Sequence, residues 1–383
     1  MKVRAVGLLL FGAAAFIHPI TGVCRSIDWR GQLSGWFTAS DAKAAKTQLG
    51  LRYIPTFSLK KTFEDKFAFD AEVSFNAFGS ARISRLDNIQ SSGDIKPYRL
   101  WVRFSTSQFE ARLGLQKINF GSAMLLRPLM WFDRIDPNDP LQLTEGVYGL
   151  LLKYTFLNNA NIWLWGLYGN DDPKGWEAVP SQRKSAEYGG RLQVPFLSGE
   201  LALAYHHRRI DPQRSLYPLP AEENRAVPEN RLALDGKWDI GPGVWFEAVL
   251  ARQDFEFYRL RVQKYLNVGL DYTFSVGNGL HFLTEYLAMA SSEKTFGAGE
   301  TIQFSDVSLD YPLGLLDRIK GMVFYSWKTK DWYRFITWQR TYDKWSFYVI
   351  AFWNPEEYRI YASRQGKNLF GGKGIQIMAV FNH

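Results

Sequence analysis

Four arginines, Arg52, Arg99, Arg103 and Arg112, sit at alternating positions in short runs whose intervening residues are apolar. A guanidinium stays charged at any physiological pH and presents a planar fork of donors that fits a carboxylate or a phosphate. A second group of charges, Arg127, Asp133, Arg134, Asp136, Asp139 and Glu145, falls between residues 121 and 146, among Pro128, Pro137, Pro140 and Trp131. If the two groups face each other across water, opposed rows of charge create a transverse field that orients polar solutes and sets an ion preference. Gln116 adds an amide at the edge of this set, and Trp101 and Trp131 offer flat faces on which a ring could stack. The local alternative is that the loop charges pair with one another and that Asp136-Pro137 and Asp139-Pro140 only open turns.

Catalysis has little to work with. Beyond the first two dozen residues the histidines are His206, His207, His281 and His383, and none begins a His-x-Ser pair that would bring base and nucleophile onto one strand face. There is no Gly-x-Ser-x-Gly, His-Glu-x-x-His or phosphate loop. His206 and His207 are adjacent, so on a strand they point to opposite faces and cannot converge on one metal without a bulge. The expectation is no catalytic residue, no metal and no cofactor.

The elements that must position these residues have a period of two. Ile27, Trp29, Leu33 and Phe37 alternate with Asp28, Arg30, Gln32 and Ser34; Phe67, Phe69, Ala71, Val73 and Phe75 alternate with Asp70, Glu72, Ser74 and Asn76. Tyr98, Leu100, Val102 and Phe104 oppose Arg99, Trp101 and Arg103, and Phe109, Ala111, Leu113 and Leu115 oppose Glu110, Arg112, Gly114 and Gln116. Repeated charge on one face is costly in a dry core but natural in a wet lumen. The composition agrees: 16% of the 383 residues are aromatic, yet mean hydropathy is only −0.23 and no long apolar run follows the leader. Further segments of the same kind run from 161–168 to 374–381, giving about 18 strands, with 16 as the alternative division.

The connections alternate in length. Short ones at 105–107, 158–159, 196–199, 240–243, 276–279 and 342–344 interleave with long ones at 79–96, 121–146, 169–184, 209–229, 254–262 and 291–301. That parity is expected of an all-β transmembrane antiparallel barrel with short periplasmic turns and long external loops. Lys2 and Arg4 ahead of an apolar run to Ile17 read as a secretory signal peptide, cleaved between about Thr21 and Asp28 and set here at 1–24, before a single barrel domain over 25–383. Cys24 raises lipid attachment, but Val23 and Thr21 fit that signal poorly. The formal charge of +8, two of it in Lys2 and Arg4, is spread along the chain with no basic block, so no nucleic-acid partner is expected.

With this architecture the chain resembles bacterial outer-membrane porins, and the parity makes the 121–146 insert the third external loop, which in general porins folds inward and narrows the channel. Arg112-x-Gly114-x-Gln116, then Gly121 and Asp136-Pro137-x-Asp139-Pro140, is similar to a segment of porin-like and alginate-export-like barrels. The final strand, with Ile375, Ile377, Ala379 and Phe381 on one face, is similar to the terminal segment such barrels present for assembly, although Asn382 and His383 follow it. The resemblance implies a bacterial outer-membrane location and passive diffusion of small polar or charged solutes; the inward arginines suggest a weak preference for anions, against which Asp70, Glu72, Asp271, Glu285, Asp306 and Asp310 share the lumen. It implies outer-membrane lipids, lipopolysaccharide and the barrel-assembly machinery as partners, and leaves monomer and homo-oligomer both open. A plugged structural or adhesive barrel is the alternative, and a lipid-modifying enzyme a more distant one.

Overall fold

Alternation of apolar and polar residues over segments of eight or more residues favours strands buried differently on their two faces, and 18 such strands form. They are described by a computed structural model covering residues 24–42, 47–63, 66–85, 88–297, 299–356 and 370–383; the leader expected at 1–24 lies outside these except for its last residue. In order the strands are β1 (Cys24–Ser40), β2 (Thr47–Phe63), β3 (Phe67–Arg85), β4 (Asn88–Thr106), β5 (Phe109–Gln116), β6 (Val147–Thr155), β7 (Asn161–Tyr168), β8 (Ala186–Phe196) and β9 (Gly199–Ile210). Then come β10 (Val227–Asp239), β11 (Gly243–Gln253), β12 (Val262–Phe274), β13 (Leu280–Ser292), β14 (Gly299–Pro312), β15 (Asp317–Ser326), β16 (Asp331–Thr341), β17 (Trp345–Trp353) and β18 (Lys373–Asn382).

Each strand pairs antiparallel with its sequence neighbours, and β1 pairs with both β2 and β18, so the sheet closes on itself with 18 strands. Closure satisfies the backbone without an open edge, which a spanning sheet requires in lipid. The outward residues form an apolar band: Leu51, Val102, Leu113, Leu164 and Ile377 are each more than half exposed, a surface that belongs in hydrocarbon. At the short-turn end the band meets an aromatic girdle, with Phe63 stacked on Phe67 at 4.8 Å, Phe69 against Phe104 at 5.2 Å and Trp345 against Phe381 at 4.8 Å. By loop length this end is periplasmic and the other external.

Three details depart from the sequence expectation. Of the loop expected at 79–96, residues 79–85 and 88–96 are strand; there β3 and β4 continue as a two-stranded ribbon in which Gly79 faces Gly93 and Ser80 Oγ meets Ser92 Oγ at 3.0 Å. Small residues with turn chemistry also fit a narrow ribbon, which is why composition alone suggested a loop. Tyr98 does not face lipid. A register shift sets Phe75 opposite Pro97 and Ser74 opposite Arg99, and the extra residue, Tyr98, borders a cavity in the lumen. Asn382 and His383 are part of the seam, since His383 and Gly31 exchange backbone hydrogen bonds at 2.9 and 3.0 Å. The missing side chain of Gly31 leaves room for the His383 ring, which meets Tyr53 Oη at 3.1 Å.

Candidate functional site

The lumen is where the inward faces and the third loop (117–146) meet. The loop leaves β5 and returns to β6, yet its tip is bound to β11 and β13. In a ring of 18 strands β13 lies almost opposite β5, so the loop crosses the barrel. Two wall carboxylates hold it. Glu247 on β11 accepts from the amides of Ala123 (2.8 Å) and Leu129 (3.2 Å), and Glu285 on β13 accepts from those of Met124 (2.5 Å), Leu125 (3.1 Å) and Leu126 (2.5 Å). Between them, Asn267 on β12 donates to the Leu126 carbonyl at 2.9 Å. Gly121 makes the approach possible, because its φ of +94° suits glycine and a Cβ there would strike the Glu247 carboxylate.

Apolar packing reinforces the anchors. Leu125, Leu126 and Met130 enter a cluster with Leu283, Leu287, Phe304, Phe324, Phe335 and Phe352, lumen-facing residues of β13 to β17. On the other side Phe120, Leu129, Trp131 and Phe132 pack on Leu151, Trp165 and Val249. Above, the fourth loop (169–185) presses on the third: Trp176 Nε1 donates to the Arg127 carbonyl and Gly175 N to that of Asp133, both at 3.0 Å. Arg208, Arg231, Glu177 and Glu229 close a buried quartet beside it, with N–O distances of 2.5 to 2.9 Å.

The arginines divide around this crossing. Arg52 and Arg99 lie at the level of the third loop or above it. Arg99 donates to the Thr144 carbonyl at 3.1 Å, and Arg52 lies over the Trp36 ring at 5.4 Å. Arg103 and Arg112 lie nearer the periplasm, opposite each other and both near the Trp101 ring, with their charge met by acids: Arg103 to Asp70 at 2.6 Å and Arg112 to Glu110 at 2.9 Å. Gln116 is spent on the backbone, donating to the carbonyls of Arg112 and Gly149 at 3.0 Å each.

Within the loop, Arg127 and Asp133 pair with each other at 3.4 Å inside its packed centre, and Trp131 stacks on His206. Burial raises the Asp133 carboxyl above its ordinary range, with Arg127 opposing. Asp136 caps the amide and side chain of Asn138, and Asp139 the amide of Leu141, so both do open turns. Burial pushes Asp136 up to about 6 and raises Asp139, against the pull of Arg52. Glu145 lies 3.8 Å from Lys96. His206 faces inward against Glu187 at 3.2 Å and His207 faces out against Tyr188, on opposite faces as adjacent strand residues must be.

Space remains beside β2 to β4 and beside β14 to β17. An outer cavity of about 350 Å³ is bordered by Arg52, Lys96, Tyr98, Arg134, Glu145 and Lys174, with Asp139 at its base. A second, of about 180 Å³, lies against β14 to β17 and is bordered by Asp310, Arg318, Lys320, Gln339, Tyr348 and again Asp139. Arg52, Arg134, Asp139 and Glu145, of the residues expected from the sequence, therefore border one polar cavity. Sequence reasoning missed the wall anchors Glu247 and Asn267. The signal available was a lone carboxylate in an inward row otherwise apolar, Trp245 and Val249 flanking Glu247, which requires a partner from elsewhere.

No protein-family model matches the chain, and no curated protein matches it in sequence. Solved structures do share its fold. OccD3 (OpdP) of Pseudomonas aeruginosa aligns with a TM-score of 0.58 at 9% identity, over 94% of this chain and 92% of that one. OccAB4 of Acinetobacter baumannii aligns at 0.56 and 12%, over 94% and 98%. OmpT, an outer membrane protein of Vibrio cholerae in its trimer form, aligns at 0.54 and 13%, over 94% and 100%. The chain thus has the β-barrel fold of bacterial outer-membrane porins.

Proposed function

We propose that the protein is a passive channel of the bacterial outer membrane for small polar or charged solutes, constricted by its third loop at Asp139. The observation that carries this reading is the pair of polar cavities, above and below the loop, that share Asp139 as a border. The apolar outer band and its aromatic girdle support the location, with lipid and lipopolysaccharide as surroundings. Around the two cavities Arg52, Lys96, Arg134, Lys174, Arg318 and Lys320 outnumber Asp139, Glu145, Asp172 and Asp310. Six cations against four carboxylates favour anions weakly. Arg103 and Arg112 add little to this preference because Asp70 and Glu110 neutralise them. The passage lies within one barrel, so a trimer such as that of the Vibrio cholerae protein would carry three independent paths.

The competing reading is a plugged barrel, favoured by the five amide contacts and the apolar cluster that fix the loop across the lumen. Single-channel recording of refolded protein in a planar bilayer decides between them. Discrete steps with a reversal potential displaced toward the anion under a salt gradient support the channel. A folded, heat-modifiable barrel without conductance supports the plug.

A further inference from the structure

A third and larger cavity, of about 440 Å³, lies on the external side away from the Asp139 passage, where the fourth, fifth (211–226) and sixth (254–261) loops close over β11 to β14. Its size falls within the roughly 300–1,000 Å³ usual for small-molecule sites. One wall is preformed: Val179 and Phe255 belong to a buried cluster to which Leu219 and Tyr258 add, with Phe255 and Tyr258 edge to face at 5.5 Å. Trp176, Tyr217, Tyr258 and Tyr265 give the cavity an aromatic lining contributed by all three loops and by β12.

The polar groups decide what fits. Gln263 accepts from Tyr265 Oη at 2.9 Å and donates to Gln253 at 3.5 Å, so amide and phenol groups are held in place at the cavity floor. Both bordering lysines are already engaged: Lys264 donates to the carbonyls of Thr295 and Gly297 at 3.2 Å each, and Lys328 lies 3.9 Å from Glu300. An anion would have to displace these partners. A wholly apolar ligand would strip water from the glutamines and from Ser215 and Ser291 without replacing its hydrogen bonds. A ring with apolar faces and a rim of hydroxyls satisfies both halves of the lining, stacking on the aromatics while bonding to amides and hydroxyls.

We infer that this vestibule binds a neutral sugar ring, supplied either by a soluble oligosaccharide or by the saccharide part of a cell-surface glycolipid. The site is separate from the Asp139 passage and does not rest on the channel reading. Isothermal titration of the refolded full chain with maltotriose, cellotriose and chitotriose tests the soluble source. Core oligosaccharide released from lipopolysaccharide tests the other. Saturable binding of any of these is expected, weakened roughly 3- to 10-fold by Tyr217→Ala or Tyr258→Ala through loss of one stacking face. Tyr217 is 61% exposed, so its removal leaves the fold intact. Absence of saturable binding for all four probes, or binding that neither substitution weakens, overturns the inference. A non-conducting barrel that still binds sugar would defeat the channel and leave the vestibule standing.

Discussion

Glu285→Gln tests whether the wall carboxylates hold the third loop in place. Three amides, those of Met124, Leu125 and Leu126, converge on this one carboxylate. A glutamine offers one acceptor oxygen, enough for two of them, and an unsatisfied buried N–H costs about 1–3 kcal/mol. The two remaining bonds lose their charge assistance, about 1 kcal/mol each. Two effects offset this loss: the neutral amide does not carry the desolvation of a carboxylate, and it relieves the contact with Asp306, directly opposite on β14. A net weakening of roughly 2 kcal/mol remains, which multiplies the undocked fraction by about 30. Leu125 and Leu126, buried at about 1.5–3 kcal/mol each, together with Glu247 keep the loop docked most of the time.

The expected record in a planar bilayer is therefore the parental conductance interrupted by larger openings, about 30 times more frequent than before. Glu247→Gln combined with Glu285→Gln removes both anchors and should make the large state dominant. The barrel itself should survive, because its inter-strand ladder is made by backbone groups; unchanged heat-modifiable mobility in a gel checks this. A double variant with the parental conductance and no added openings would refute the anchoring argument.

Three further outcomes follow from the same geometry. Gly121→Ala should reproduce the large openings, since its Cβ strikes the Glu247 carboxylate and the φ of +94° costs an alanine about 1–2 kcal/mol; single-channel recording reads it. Asp136, raised to about 6 in the folded loop, binds a proton that the undocked chain has already released between about pH 4 and 6. Docking of this turn is thus strongest at or below the lower value and weakens as pH rises through 6; openings should increase over that window, and Asp136→Asn should flatten the profile. Arg52→Gln should move the reversal potential toward cation preference and Asp139→Asn toward anion preference, because the two border the same cavity.

The barrel was legible in the sequence because lipid and lumen impose a period of two on every strand and because loop length alternates with side. The interior was legible only in part. That Arg103 and Arg112 face inward follows from alternation, but whether they carry free charge depends on what lies opposite, which is a matter of register. The short turn between β4 and β5 sets Arg103 opposite Arg112 and Ser105 opposite Glu110. Alternation places Glu247 and Glu285 in the lumen and their apolar neighbours call for a partner, but do not say which one, since the groups they bind are backbone amides, which have no letter in the sequence.

The pairing of β3 with β4 shows how much of this a stricter reading could extract. Around Gly79 and Gly93 the two strands pair in a register that, continued downward, would set Asp70 opposite Val102 and so place a carboxylate and a lipid-facing valine on one face. The observed alternation forbids that, because Asp70 and Arg103 both belong to the inward set. One extra residue must therefore enter β4 between the two zones, and Tyr98 is that residue, next to Pro97, which has no N–H to give to the ladder. The insertion shifts the lower register by one, sets Asp70 opposite Arg103, and turns Tyr98 from lipid to the outer cavity. A conflict of phase between two paired strands thus marks the bulge, the salt bridge it creates and a lining residue of the passage.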